Sequence, residues 1–232
     1  MAPTLEADWS SPMRLLIINP NTTVAMTEKI AECAREVLSP GTMLDAVNPT
    51  QGPAAIQGEQ DGLDALPHLF ALFDERTASH DYDAAIIACF DDTGVAELKG
   101  RNGVPVIGIG EAAFHAAALL GGAFSVVTTL SVSCPIIEAN LEVYGFSRQV
   151  SRVRASEIPV LAFEEQPEQS YDTLSAEIEA SMQQDDCQSI VLGCAGMADM
   201  ASRLSQQHRI PVIDGVRAAV GLAEMLHKTF QP

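Results

Sequence analysis

Short apolar runs recur along the chain, each followed by small or polar residues and then by a stretch of helical periodicity. Arg14-Leu15-Leu16-Ile17-Ile18 ends in Asn19-Pro20-Asn21-Thr22 and gives way to a helix over Val24 to Leu38, closed by Pro40-Gly41. Apolar runs without alternation belong to strands buried on both faces of a parallel sheet. Asn, Pro and Gly supply the turns between them. The same reading predicts strands at Met43–Val47, Ala84–Ala88, Pro105–Ile109, Ala123–Thr129, Ile190–Leu192 and Ile210–Ile213, and a polar-sided strand at Arg148–Arg154. Helices are expected up to Ser79 (with Pro67 near the first turn), then at Glu111–Leu120, Ser133–Tyr144, Gln169–Gln184 and Val216–Thr229. The Pro- and Gly-rich stretch from Asn48 to Gly62 is long enough to be a lid or pocket wall.

The pattern restarts near Ala123. Cys194 lies 105 residues after Cys89, Pro211 lies 106 after Pro105, and Thr128 lies 109 after Asn19. A nearly constant offset over such a length marks an internal repeat. The expected fold is α/β, with two pseudo-symmetric doubly wound parallel-sheet domains and the active site between them. Residues 1–12 read as a flexible polar tail. Residues 13–106 with 214–232 form the first domain, and residues 107–213 the second.

Composition narrows the function. The net charge of −18 argues against a nucleic-acid or anionic-membrane partner, both of which need a basic footprint. No apolar run approaches the roughly 18 residues of a membrane span, and the N-terminus lacks the basic and apolar regions of a signal peptide. Five cysteines without a CxxC pair suggest reduced thiols and a cytoplasmic setting. There is no Walker A motif or GxGxxG, and the five histidines are scattered, so neither a metal nor a cofactor is expected. A small molecule is the expected partner, in a homo-oligomer.

Candidate chemistry rests on Cys89 and Cys194, each at a strand end where open α/β sheets bind ligands. Placed before helices, both thiols are expected to have lowered pKa values. A thiolate and a thiol on opposite faces of one carbon can invert it, one taking a proton and the other returning one. The carbanion then needs donors aimed at its oxyanion. Backbone amides after each cysteine, with Asn21, Thr93, Thr128 and Thr129, are the candidates. Cys33, Cys187 and Cys134 read as structural, and His115 as a core histidine. Asp91 and Asp92 read as caps of the helix that follows them.

The segments Asn19-Pro20-Asn21-Thr22, Gly52-Pro53, Cys89-Phe90-Asp91-Asp92, Val127-Thr128-Thr129-Leu130 and Leu192-Gly193-Cys194-Ala195-Gly196-Met197-Ala198 carry a resemblance. Over nearly all of residues 14–228 the chain resembles the aspartate/glutamate/hydantoin racemase superfamily, in its hydantoin and allantoin racemase branch. The resemblance implies two pseudo-symmetric domains and a cofactor-free acid/base pair, Cys89 and Cys194. It implies a substrate site lined by Asn19, Thr128, Thr129, Ala195 and Gly196, with the Gly52–Ile56 loop, hence Pro53 and Ile56, against the substituent. Asn21, Phe90 and Asp91 are further candidate contacts. Amino-acid racemases of the superfamily usually show Cys-Asn-Thr and Cys-Thr-Glu or Cys-Thr-His at the two sites. Cys89-Phe90-Asp91 and Cys194-Ala195-Gly196 lack that polar set and point to a neutral ring, a 5-substituted hydantoin such as allantoin. The alternatives are an isomerase using one cysteine as nucleophile, as in maleate isomerases, and a non-catalytic binder that keeps the pocket.

Overall fold

Eight apolar runs become eight parallel strands in two sheets of identical order. The computed structural model describes residues 12–79 and 81–230, so residues 1–11 of the expected tail lie outside it. The first sheet carries β1 (Arg14–Ile18), β2 (Met43–Val47), β3 (Ala84–Ile87) and β4 (Val106–Gly108); the second carries β5 (Phe124–Thr128), β6 (Val150–Ala155), β7 (Ser189–Gly193) and β8 (Val212–Ile213). Strand orders are β2-β1-β3-β4 and β6-β5-β7-β8. The repeat read from sequence offsets is thus a repeat of topology. Strand β4 ends at Gly108, two residues beyond the expected division at residue 106.

The helices are α1 (Val24–Arg35), α2 (Glu59–Ser79), α3 (Val95–Leu98), α4 (Ile109–Leu120), α5 (Cys134–Val143), α6 (Ala162–Glu165), α7 (Pro167–Gln184), α8 (Ala201–His208) and α9 (Gly215–Phe230). Successive strand residues face opposite sides of a sheet, and the core divides accordingly. Leu15, Ile17, Ala84 and Ile86 join Phe124, Val126 and Val191 in one central cluster. Their neighbours Leu16, Ile18 and Ile87 face outward to Leu69 and Phe73 of α2. Val127, Ile190 and Leu192 face outward to Leu174 and Ile178 of α7 and Leu204 of α8. The inner strands β1, β3, β5 and β7 therefore need apolar residues on both faces, which is why their runs do not alternate, whereas the edge strands β2 and β6 are partly exposed.

Helices α4 and α9 pack on each other in the middle layer, α4 against β7 and β8, and α9 against β3 and β4. Each follows the last strand of one sheet and helps cover the inner face of the other. Their packing faces are small residues, Ala112, Ala113 and Ala117 on α4 and Ala219 and Ala223 on α9, which let the helices approach closely.

Pro67 departs from expectation. It lies well inside α2, which begins at Glu59, rather than in its first turn. A proline there removes one i→i−4 bond and crowds the carbonyl four residues back. Pro67 sits on the exposed face, so water can serve that carbonyl, while Ala65, Leu69 and Phe73 keep the buried stripe. The Pro/Gly loop accordingly ends at Gly58, with Gly62 already helical.

Candidate active site

Cys89 lies two residues past β3 and Cys194 directly follows β7, at the equivalent edge of each sheet. Both line one small cavity between the halves. Of the expected contacts, Asn21, Ile56, Phe90, Asp91, Thr129 and Ala195 share that lining. Met26, Ala88, Ser133, Val160 and Gly193 complete it. Gly193 belongs to the Leu192–Ala198 segment, and Ser133 to the expected start of a helix. Val160 lies in the irregular segment between β6 and α6, where no periodicity marks it.

Asn19, Pro53, Thr128 and Gly196 stand behind this lining. Asn19 is fully buried; its Nδ2 donates to Asn21 Oδ1 at 2.9 Å and to Thr27 Oγ1 at 3.0 Å, so it shapes the turn that presents Asn21. The Pro53 carbonyl accepts from the Thr22 amide at 3.0 Å, and the Ala54 carbonyl from Thr23 Oγ1 at 2.7 Å. Farther along the same loop, Gln57 Oε1 accepts from the Val160 amide of the other half at 2.9 Å. Ile56 is thereby held over the cavity from both sides. Thr128 Oγ1 donates to the Gly193 carbonyl at 3.0 Å, fixing the strand end that precedes Cys194.

The two sulfurs have matched surroundings. The Gly196 amide donates to Cys194 Sγ at 3.4 Å, and the Asp91 amide acts on the Cys89 sulfur in the same sense, again from two residues downstream. Thr93 Oγ1 adds a contact to Cys89 Sγ at 3.5 Å. The Gly196 amide, expected to face a substrate oxyanion, is thus engaged by the thiol.

The expectation of low thiol pKa values is corrected. Burial pushes Cys194 up to about 12, and burial with the Asp91 charge pushes Cys89 higher still. The cause is burial, which outweighs what the following segments offer. Cys194 precedes a 3₁₀ segment, Ala195–Met200, that leads into α8, and Cys89 precedes the one-turn α3. Neither offsets the loss of hydration. Both residues are therefore thiols at neutral pH in the free site.

Asp91 is the charged side chain of the lining. Burial raises its carboxyl to about 6, opposed by a hydrogen bond from Ser133 Oγ at 3.4 Å. Asp92 turns away from the cavity and is a cap, though of a different helix from the one expected. It accepts from the Gly110 amide at 2.9 Å and the Glu111 amide at 2.8 Å, at the start of α4, and from Tyr144 Oη at 3.0 Å. Gly108 makes room for this, since a Cβ there would meet Asp92 Oδ1 at 2.2 Å. Phe90 packs edge-on against Phe114 of α4 at 5.5 Å. Asp92 and Phe90 together anchor the Cys89 turn onto the middle layer. Asp92→Ala strands two amides, and we expect urea unfolding to show a loss of about 2–3 kcal/mol, with a smaller loss for Asp92→Asn, which retains one acceptor. An unchanged unfolding midpoint for Asp92→Ala would contradict the anchoring role.

On the other side, Lys29 of α1 pairs with Glu164 of α6 at 2.8 Å and donates to the Phe163 carbonyl at 3.3 Å, joining the halves beside Cys194. Among the described residues, no cluster of three or more His, Cys, Asp or Glu is arranged to hold a metal ion, and no helix is long and apolar enough to cross a membrane.

The family model described as Asp/Glu/Hydantoin racemase matches residues 15–223. A hydantoin racemase of Rhizobium meliloti is 43% identical over 214 residues, covering 92% of this chain and 88% of the relative. An allantoin racemase from Klebsiella pneumoniae superposes with a TM-score of 0.90 at 38% identity, covering 94% of this chain and 88% of the other. The allantoin racemase of Pseudomonas fluorescens gives 0.87, also at 38% identity, over 94% and 92% of the two chains.

Proposed function

The chain belongs to the Asp/Glu/hydantoin racemase family and is an isomerase, and from that premise we propose that it racemises 5-substituted hydantoins, allantoin among them, by two-base proton transfer between Cys89 and Cys194. One observation carries the reading: two cysteines from opposite halves line a single small cavity. A hydantoin ring seated there presents C5 between them. One sulfur, as thiolate, removes the C5 proton from its face. The other, as thiol, delivers a proton to the opposite face, and the roles reverse for the other enantiomer.

Charge from the broken C–H bond moves onto the neighbouring carbonyl oxygen. Asn21 and Thr129, neutral donors in the lining, are the groups to meet it. Asn21 Oδ1 is occupied by Asn19 Nδ2 and the Thr23 amide at 2.9 Å each, while its Nδ2 rests on Met26 Sδ at 3.3 Å. Sulfur is a weak acceptor, so this amide group exchanges it readily for an oxyanion. Apolar Met26, Ile56, Phe90 and Val160 keep the carbanion away from bulk water.

The test is polarimetry on single enantiomers of allantoin and of alkyl and aryl hydantoins, with deuterium incorporation at C5 followed in heavy water. Loss of rotation together with C5 deuteration is expected. Retention of rotation for every hydantoin tried would sink the reading.

The state of the thiols adds a pH prediction. Because both start protonated, the thiolate fraction grows about tenfold per pH unit below the thiol pKa. We expect kcat/KM to climb between about pH 6.5 and 8.5 without a plateau. A flat profile there would mean that the abstracting base is already ionised.

A further inference from the structure

We propose that Asp91 sets substrate selectivity: its carboxylate favours hydantoins whose C5 substituent is uncharged and carries N–H donors, and turns away those whose substituent bears a carboxylate. The inference rests on the reading of the cavity as a hydantoin site and deepens it.

Three observations carry it. First, Asp91 is the one charged residue lining the cavity, and no lysine or arginine lines it. A substrate carboxylate would meet a like charge with no counter-ion in the lining, at a cost that rises as the site closes off from water.

Second, the carboxylate is under-used. Its side-chain donor among the described residues is Ser133 Oγ at 3.4 Å, long beside the roughly 2.6 Å of a good hydroxyl–carboxylate bond. A carboxylate has about four acceptor positions. The main chain, in contrast, is firmly held, since the Asp91 carbonyl accepts from Asn140 Nδ2 at 2.8 Å. The residue is fixed in place with most of its acceptor capacity open.

Third, Asp91 also lines an adjoining, more open groove between the start of α2, α3 and α5. Asp91 therefore stands where the tight cavity meets a roomier one. With C5 between the sulfurs, a ring occupies the cavity and its substituent runs past Asp91 into the groove. The groove continues the same electrostatics: Glu59 and Glu97 line it, and no cation does. Ureido and carboxamide groups suit this path, because their N–H donors can bond the carboxylate.

The matched probes are hydantoin-5-acetamide and hydantoin-5-acetate, nearly equal in shape and different in charge and N–H donors. Their affinities for the intact protein and for Asp91→Asn are measured by calorimetry near pH 8, and racemisation of both is followed on the same samples. The native protein should bind the acetamide at least about thirtyfold more tightly than the acetate, and Asp91→Asn should shrink that ratio about tenfold or more, chiefly by gaining the acetate. Equal affinities in the native protein, or a ratio unchanged by the substitution, overturn the proposal. Should Asp91→Asn fail to fold, Asp91→Ser is measured in its place, since Glu59 and Glu97 also favour the acetamide in the native protein. The two readings separate cleanly. Selective binding without turnover removes the racemase reading and keeps the selectivity, whereas turnover with an unselective site removes only the role of Asp91.

Discussion

Cys89→Ser and Cys194→Ser should each lose at least about a thousandfold in racemisation, the scale of an acid or base removed from a proton transfer. Each should nevertheless keep one partial activity. With one thiol left, the enzyme can still take and return the C5 proton on that thiol's face, so it exchanges deuterium into one enantiomer without inverting it. The two variants should exchange opposite enantiomers. The substitution is nearly isosteric, but an alcohol is far less acidic than a thiol, so serine serves neither as base nor as an equal acid. Chiral chromatography with mass detection in heavy water reads both quantities at once. Full racemisation by either variant, or loss of exchange for both enantiomers in each, would refute the division of labour between the cysteines.

The second large effect concerns a residue that performs no chemistry. Gly193 pairs with Thr128 across the β5–β7 ladder, and a Cβ at Gly193 would stand 2.6 Å from Thr128 Cβ and 2.7 Å from its Cα. Those atoms belong to a fully buried strand residue whose hydroxyl already bonds the Gly193 carbonyl, so nothing flexible can yield. Gly193→Ala must push the end of β7 away from β5 and carry Cys194 with it. We expect a loss of about 3 kcal/mol, a fall of roughly 6–12 °C in Tm for a chain of this size, and a fall in kcat larger than the change in KM, because the displaced sulfur no longer faces C5. A thermal melt and a rate series suffice, and native-like values of both would show that the close approach is dispensable.

How much of this was legible in the chain depended on the range of the forces involved. Strand positions were readable because burial on both faces leaves runs such as Leu15-Leu16-Ile17-Ile18 with no polar interruption. The repeat was readable because identical strand orders give similar offsets for Cys89/Cys194 and Pro105/Pro211. Pro67 misled, since a local breaker was outweighed by the buried stripe of Ala65, Leu69 and Phe73. Helix α8 carries few apolar residues, with Leu204 its one large buried side chain, and its pattern was too weak to read. Asp92 could not be assigned to α4 from sequence, because its amide partners lie 18 and 19 residues away. The thiol pKa values were misjudged for a related reason. A helix start can be read locally, but desolvation is set by what the rest of the fold lays over the sulfur.

The middle layer has a consequence for the order of synthesis. Residues of the first sheet emerge first, yet the inner faces of β3 and β4 pack against α9, the last element of the described chain. Val216, Ala219, Val220 and Ala223 provide that cover. Until they leave the ribosome, Ile86 and its neighbours have only part of their lining, so the amino-terminal sheet waits, half dressed, for the carboxy-terminal helix. Loss of α9 would therefore reach back into the first half of the chain, and a nascent chain stalled before residue 215 would present a long-lived apolar face to chaperones.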